Sequence, residues 1–246
     1  MQNVELRNLY YLLRKQVTIA SALLLLSKFL SAQREINLPD HDAKPYYFGI
    51  TLSYNTSYLH ALHHPKFLQS DTIMVAEPVN AGGFGLGLLA TLHLSNRFEF
   101  RFNPQLMFAS KTLRYITKYD KPGEEPNPKK NIESILMSLP VQLKFKSDRI
   151  DNFRVYMLAG LKFDYDMASN STARRAEDLV KLKPSDLGFE GGIGFNFYFK
   201  SFIFSPEIKI SNGLNNIHSR DANLKFSNVL DRLQSRMIVF SIHLEG

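Results

Sequence analysis

The chain contains eight stretches in which apolar and polar residues alternate, joined by connectors that are alternately short and long. Between residues 46 and 58, for example, Tyr46, Phe48 and Ile50 share one phase, and Tyr47 and Thr51 share the other. A period of two predicts a β-strand whose two faces have different surroundings. The eight strands are predicted at about residues 46–60, 83–94, 97–110, 133–146, 153–166, 186–199, 202–211 and 236–245.

The connectors divide into two groups by length. Those after the second, fourth and sixth strands are tight, such as Ser95-Asn96 and Lys200-Ser201. The long ones follow the first, third, fifth and seventh strands, at about residues 61–82, 111–132, 167–185 and 212–235. This layout is typical of a barrel in a bacterial outer membrane. The predicted fold class is all-β, an eight-stranded antiparallel transmembrane β-barrel with long extracellular loops and short periplasmic turns.

The distribution of charge indicates which face contacts lipid. The apolar phase has no Asp, Glu, Lys or Arg across the central residues of the strands, and Arg236 occupies this phase only at the outer rim. A Lys or Arg facing lipid at mid-depth costs about 2–4 kcal/mol, so this exclusion is what a membrane strand requires. The alternative is a soluble β-sandwich, but phenylalanine-rich faces on all eight strands exceed what a sandwich core can bury.

The polar phase carries charges that would face the inside of the barrel. An eight-stranded barrel is narrow and is normally filled by side chains, so these charges are expected to pair. Glu99 and Lys144 are predicted at one depth, and Lys162 and Glu190 at another. We interpret the set as a structural plug, with a proton or ion path as the alternative. The predicted interior charge network is Glu99, Arg101, Lys144, Lys162, Asp164, Glu190, Glu207 and Lys209.

Three prolines lie inside predicted strands, at Pro104, Pro140 and Pro206. Proline removes a hydrogen bond from the ladder, and a closed barrel has no free edge on which to place it. We therefore expect bulges or kinks at these three positions.

The N-terminus predicts export. Arg14 and Lys15 end a basic region, an apolar stretch covers 17–26, and Ser31-Ala32 offers a small residue for cleavage. Residues 1–32 are therefore predicted to be a cleaved signal peptide, 33–45 a periplasmic lead and 46–246 the barrel. The alternative, a membrane anchor helix, would need about 20 apolar residues. The chain has no cysteine, which excludes disulfides, thiolate metal sites and a cysteine nucleophile.

Other kinds of chemistry have little support in the sequence. The net charge is +7, but residues 1–32 contribute +3 of it and the rest is not clustered, so nucleic acid is not a predicted partner. His60, His63 and His64 lie in a loop without a supporting carboxylate, so no metal site is predicted. Near the outer rim, no spacing favours a catalytic site among Asp164, Asp166, Ser169 and His218. We therefore predict no catalytic residue, no cofactor and no enzymatic activity.

Seven segments follow one another along the chain: Leu38-Pro39, Lys44-Pro45, residues 48–55, RFEFRFNPQLMF at 97–108, LPVQLKFKS at 139–147, GFEGGIGFNFYF at 188–199 and SPEIKISNGL at 205–214. Together they resemble the PorT family of outer-membrane barrels. Alternating patterns recur in barrels, so the resemblance rests on the order of the segments and on the loop lengths between them. The three prolines fall within these segments.

The resemblance implies a function that the pattern alone does not. PorT proteins belong to the type IX secretion system of Bacteroidetes, which is also linked to gliding motility. By that resemblance, the chain is expected to be a non-enzymatic component or assembly factor for protein secretion, partnered by outer-membrane lipid and by other type IX components. The competing hypothesis is a general small outer-membrane barrel with a role in adhesion or solute handling.

Overall fold

The computed structural model describes residues 35–63, 73–117, 129–169, 182–219 and 230–246. The predicted signal peptide lies outside the described residues. Residues 37–246 form one compact unit, and of the other unit, residues 1–36, only Glu35 and Ile36 are described. In the described part of the chain, no helix is long and apolar enough to cross a membrane. The elements are a 3₁₀ helix, Pro39–Ala43, and the strands β1 Tyr46–His63, β2 Ile73–Val79, β3 Ala81–His93, β4 Phe98–Phe102, β5 Gln105–Thr117, β6 Lys129–Lys146, β7 Phe153–Asp166, β8 Ser185–Tyr198, β9 Ile203–Gly213 and β10 Leu230–Glu245.

These strands form a closed antiparallel ring. β1 pairs with both β3 and β10, which joins the first strand to the last. β4 and β5 lie in line, since both pair with β3 on one side and with β6 on the other. β2 continues the line of β3 along β5. The ring therefore has eight strands, two of them interrupted, and the predicted eight-stranded barrel is confirmed.

The register of the ring sets the tilt of its strands. Paired residues followed once around the ring from Tyr46 return to β1 at Thr56, ten residues further along. With about 3.3 Å per residue and about 4.8 Å between strands, this stagger tilts the strands by about 40° from the barrel axis. Tyr46 and Tyr58, on one strand, are then about 30 Å apart along the axis, comparable with the apolar band of an outer-membrane barrel.

The two faces of the wall have opposite chemistry. Large apolar side chains on the outside are exposed, including Phe48, Leu88, Leu161 and Ile210. The inward side chains are buried and mostly polar, as Thr51 and Asn55 of β1 illustrate. Lipid can solvate the first set, while the second set must find hydrogen-bond partners inside the barrel.

Several strands run further than the pattern predicts, and the excess lies at the extracellular end. β5 continues to Thr117 and β10 begins at Leu230, both within predicted loops. In these extensions the inward Leu113 and Tyr115 are buried, whereas the outward Arg114 is exposed. Apolar side chains thus point inward and polar side chains outward, which reverses the pattern of the membrane-spanning part. The reason is that water rather than lipid surrounds the barrel beyond the membrane. A strand prediction that requires apolar residues on the outward face therefore ends each strand too early.

The expected bulges do not form at the three prolines, but two of these prolines interrupt a strand or a ladder. Pro104 separates β4 from β5, yet the register with β3 and β6 is the same on both sides of the gap. Pro140 pairs with Lys162 in an unshifted ladder, and Pro206 pairs with Ile242 in another. Pro206 interrupts pairing only towards β8, where the register again resumes unchanged. The missing donor of Pro104 faces Leu88 of β3, and that of Pro140 faces Asn103, so both lost hydrogen bonds fall at the break between β4 and β5.

Candidate functional site: the filled barrel interior

The interior of the barrel contains many charged side chains and no net charge. Among the described residues, seven cations and seven anions are buried, so the interior does not favour ions of either sign. All eight side chains of the predicted network belong to this set. The buried charges are Glu99, Arg101, Lys111, Lys144, Lys146, Arg154, Lys162, Asp164, Asp166, Asp186, Glu190, Glu207, Lys209 and Glu245.

Near the periplasmic end, Glu99 collects several donors. Its carboxylate lies 3.3 Å from Lys144 and 2.7 Å from Lys146. The hydroxyl of Tyr47 donates to it at 2.9 Å, and Nε2 of His93 lies 2.8 Å away. The structure thus brings together the predicted pair of Glu99 and Lys144, and it adds a second lysine. A buried carboxylate needs such partners, because burial without them is costly.

One layer further in, Arg101 joins two acidic side chains from different strands. It donates to Glu207 of β9 at 3.0 Å and to Glu245 of β10 at 2.9 Å. Tyr156 donates to Glu207 at 2.8 Å, and its ring centroid is 4.1 Å from the ammonium of Lys144. The fork of Arg101 therefore spans the lumen and ties β4 to two strands on the far side of the barrel.

In the middle of the barrel, the expected ion pair between Lys162 and Glu190 does not form. Lys162 lies 2.5 Å from Asp164 of its own strand, and Glu190 lies 3.5 Å from Lys209 and also accepts from Gln142. The expected partner of Lys162 was Glu190. The prediction counted residues from the periplasmic turns to estimate the depth of each side chain. The register instead sets Glu190 opposite Gly160 and not opposite Lys162.

Apolar side chains fill the interior above these charges. One buried cluster comprises Met107, Ala109, Leu136, Met237 and Val239. A second cluster, in the extracellular extension, comprises Leu59, Leu113, Tyr115, Leu182, Ile217, Leu230 and Leu233. A cavity between the first cluster and Lys162, Glu190 and Lys209 has a volume of about 10 Å³. It has room for about one water molecule, so the described interior is packed rather than open.

The periplasmic lead closes the opposite end. The helix Pro39–Ala43 inserts His41 among aromatic rings, with centroid distances of 4.6 Å to Tyr47, 6.4 Å to His93 and 6.3 Å to Tyr198. His41 is buried although it precedes the first strand. A short segment ahead of the barrel therefore covers the inward residues at its periplasmic mouth.

Polar contacts hold the lead in this position. Asp42 accepts two hydrogen bonds from Arg154, at 2.8 and 3.0 Å. Arg149, in the turn between β6 and β7, donates to the carbonyl oxygen of Leu38 at 3.3 Å and also to that of Asn37. The two arginines come from the barrel, so the lead is attached to its turns and strand ends rather than to lipid.

Burial and charge shift the pKa values of two groups in the lead. Burial lowers the pKa of His41 from 6.5 to about 4, against the opposing charge of Glu245. Burial acts to raise the pKa of Asp42, but the hydrogen bonds and charge of Arg154 outweigh it, and this pKa lies below its usual value. His41 is therefore neutral and Asp42 ionised at neutral pH.

Sequence reasoning missed several interior residues that the network depends on. Glu245, His243 and Tyr156 lie in the inward phase of their strands, and that phase was the signal available for finding them. His243 lies 2.8 Å from Thr51 and 3.4 Å from Glu207, in the order hydroxyl, imidazole, carboxylate. Thr51, His243 and Glu207 are all buried inside the lumen that the described strands enclose, and they contribute to its packing.

Two of the rim residues considered for catalysis, Ser169 and Asp166, make local hydrogen bonds to the backbone. Ser169 donates to the carbonyl oxygen of Leu182 at 2.7 Å. Asp166 accepts from the backbone N–H of Ala168 at 3.0 Å. Within the described ranges, no group of three or more His, Asp or Glu side chains is arranged to hold a metal ion.

The closed ring, its apolar outer surface and its packed polar lumen define an outer-membrane type of β-barrel. Residues 41–219 match the outer membrane protein beta-barrel domain family, and the chain belongs to that family. It is an outer-membrane protein, as the lipid face predicts. A search of curated protein sequences finds no relative.

Solved structures of small outer-membrane barrels are similar to this chain. OprG from Pseudomonas aeruginosa is 11% identical, with a TM-score of 0.45 over 81% of this chain and 92% of its own. Ail, the attachment invasion locus protein of Yersinia pestis, is 11% identical, with a TM-score of 0.39 over 82% of this chain and 100% of its own. Neisserial surface protein A is 12% identical, with a TM-score of 0.37 over 80% of this chain and 96% of its own.

Proposed function

We propose that this protein is a non-enzymatic, non-conducting component or assembly factor of type IX protein secretion, resembling PorT. The observation that supports the non-conducting part is the packing of the lumen within the described residues, where paired charges and two apolar clusters lie around a cavity of about 10 Å³. Secreted proteins would have to pass elsewhere. The interior charges then act as a structural plug that holds the strands in register, and the periplasmic lead closes one end.

The part of the proposal that concerns secretion is supported by the sequence resemblance. The prolines shared by those segments, Pro104, Pro140 and Pro206, lie in the wall and leave its register intact. A wall with this geometry offers partners its lead, its turns and its extracellular end. Partners in this proposal are outer-membrane lipid and other type IX components.

Deletion of the gene followed by mass spectrometry of the culture supernatant tests the proposal. We expect loss of type IX cargo from the medium and its accumulation in the periplasm. A plasmid copy of the intact chain should restore export. Unchanged export in the deletion strain would refute the secretion role, and ion-conductance steps from the purified chain in a planar bilayer would refute the closed lumen.

A second candidate, a barrel with an adhesive role, is favoured by one observation. β1, β5, β6 and β10 extend beyond the membrane around a buried apolar cluster that includes Leu59 and Leu233. A rigid extension of this kind could present the extracellular loops to another surface. A deletion strain that secretes normally but no longer adheres to host matrix or to other cells would favour this candidate over secretion.

A further inference from the structure

The lipid-facing surface of the barrel has two depressions with different chemistry. One, of about 490 Å³, is bordered on the outside by apolar side chains such as Phe100, Leu161 and Phe163. The other, of about 640 Å³, lies across β8, β9, β10 and β1 and includes Arg236. The acyl chains of ordinary membrane lipids are enough to fill the depression beside Phe100. The second, here called the Arg236 groove, combines an apolar surface with a cation and therefore has a more specific occupant.

The register places the polar side of the Arg236 groove in one lateral row of paired residues. Tyr58, Arg236, Asn212 and Phe189 are lateral neighbours on four successive strands. Gln234 lies above them, where its amide nitrogen donates to the backbone of Gly213 and Leu214. All of these side chains are in the outward phase, so the polar groups of the groove face the membrane and not the lumen.

The level below is apolar. Thr56, Ile238 and Ile210 are lateral neighbours in the next row towards the membrane centre. Ile210 and Ile238 are both more than half exposed. The Arg236 groove thus has an apolar floor that faces acyl chains and a polar rim at the outer edge of the apolar band, where Tyr58 lies about 30 Å from the periplasmic Tyr46 along the axis.

Arg236 has no partner of its own in the described part of the chain. It is exposed and makes no side-chain hydrogen bond or ion pair with any described residue. Two other exposed arginines are paired, Arg97 in a turn with Asp148 at 3.2 Å and Arg114 of β5 with Glu77 at 2.7 Å. A guanidinium at the membrane surface gains most from a bidentate anion, and phosphate fits its geometry.

We propose that the Arg236 groove binds one outer-leaflet glycolipid through a phosphate on its sugar headgroup. Arg236 holds the phosphate, Tyr58 and Asn212 offer hydrogen bonds to the sugar, and an acyl chain covers Ile210 and Ile238. Charge complementarity and depth select this occupant, because the outer leaflet is the layer that meets this end of the barrel. This inference does not depend on a role in secretion.

Native mass spectrometry of the full chain in detergent, with lipid A added, tests the site. The intact chain should bind one lipid A tightly, and lipid A stripped of its phosphates should bind about fivefold or more weakly, as expected for loss of about 1 kcal/mol per cation near a membrane surface. Arg236→Gln should lose the preference for phosphate, and Arg236→Lys should keep part of it. Arg97→Gln, on the opposite rim, is the matched control and should bind like the intact chain.

Two further measurements separate the occupant from simpler alternatives. Thr56→Phe narrows the apolar floor and should weaken both forms of lipid A, while heat-modifiable migration on gels checks that the variant is folded. Inorganic phosphate at the same concentration should not compete. Equal binding of both lipid forms, an unaltered preference in Arg236→Gln, or displacement by inorganic phosphate would each overturn the proposal.

Discussion

Acidification should release the periplasmic lead from the barrel mouth. His41 is neutral when docked because burial lowers its pKa from 6.5 to about 4. Once released into water, its pKa returns to the ordinary value, so the released lead binds a proton more readily. Docking is therefore at full strength above pH 6.5 and weakens as pH falls from 6.5 to 4. The charges that face His41 are Glu245, Lys44, Asp42 and His93.

The size of the effect follows from that shift. One pKa unit corresponds to 1.36 kcal/mol, so protonation of His41 weakens docking by about 2.5 kcal/mol at pH 4.5 relative to pH 7.5. Asp42 acts in the same direction at lower pH, since its pKa is also below normal when paired with Arg154. The combined result is a lead that is held at neutral pH and loosened by acid.

A spin label can report this release, because the chain has no cysteine to interfere. Asp40→Cys places the label on the exposed side of the lead, and its mobility in the folded protein is measured against urea at pH 7.5 and 4.5. The urea midpoint should fall with pH in the otherwise unchanged chain and stay nearly constant in His41→Gln. Ser95→Cys, in a periplasmic turn, is the control position. Equal midpoints at the two pH values, or the same pH dependence in His41→Gln, would refute the reasoning.

Two further predictions concern the interior of the barrel. Arg101→Met leaves two buried carboxylates without their shared partner and should lower the unfolding free energy in detergent by about 3–5 kcal/mol, whereas Arg97→Met removes an exposed pair and should cost at most about 1 kcal/mol. Similar losses in both would contradict the interior network. Gly194→Ala would place its Cβ 2.8 Å from a ring carbon of Tyr156 and should cost about 1–3 kcal/mol. Gly191→Ala, whose nearest neighbour would be 3.7 Å away, should be close to neutral, and a reversed order of the two glycine variants would show that the wall is not packed as described.

The prolines illustrate a limit of reasoning from one strand at a time. Pro140 alone predicts a defect in its ladder, and a bulge is the common solution. In the closed ring it lies opposite Asn103, next to Pro104 of the neighbouring strand, so both lost hydrogen bonds fall at the break between β4 and β5 and the register continues unchanged. The sequence contains both prolines, but only the register shows where they lie relative to each other.

The lead illustrates a second limit. Residues 37–45 have no alternating pattern, and their two prolines suggested only a polar segment ahead of the barrel. Their structure depends on Arg149, Arg154 and Tyr198, which are more than 100 residues away in the chain. No local property of His41 predicts its burial, because the pocket that receives it exists only after the barrel has closed.

The sequence by itself determined the strands, the lipid face and the outer-membrane location, because each depends on a period of two and on the cost of placing charge in lipid. It also determined which charges face inward, since the phase of a strand assigns every side chain to one face. The tertiary structure alone decided which of those charges meet, where the strands continue beyond the membrane, and how the lead and the Arg236 groove are formed. Those features depend on the stagger of ten residues around the ring, which decides which distant segments become neighbours and is not encoded in any single strand.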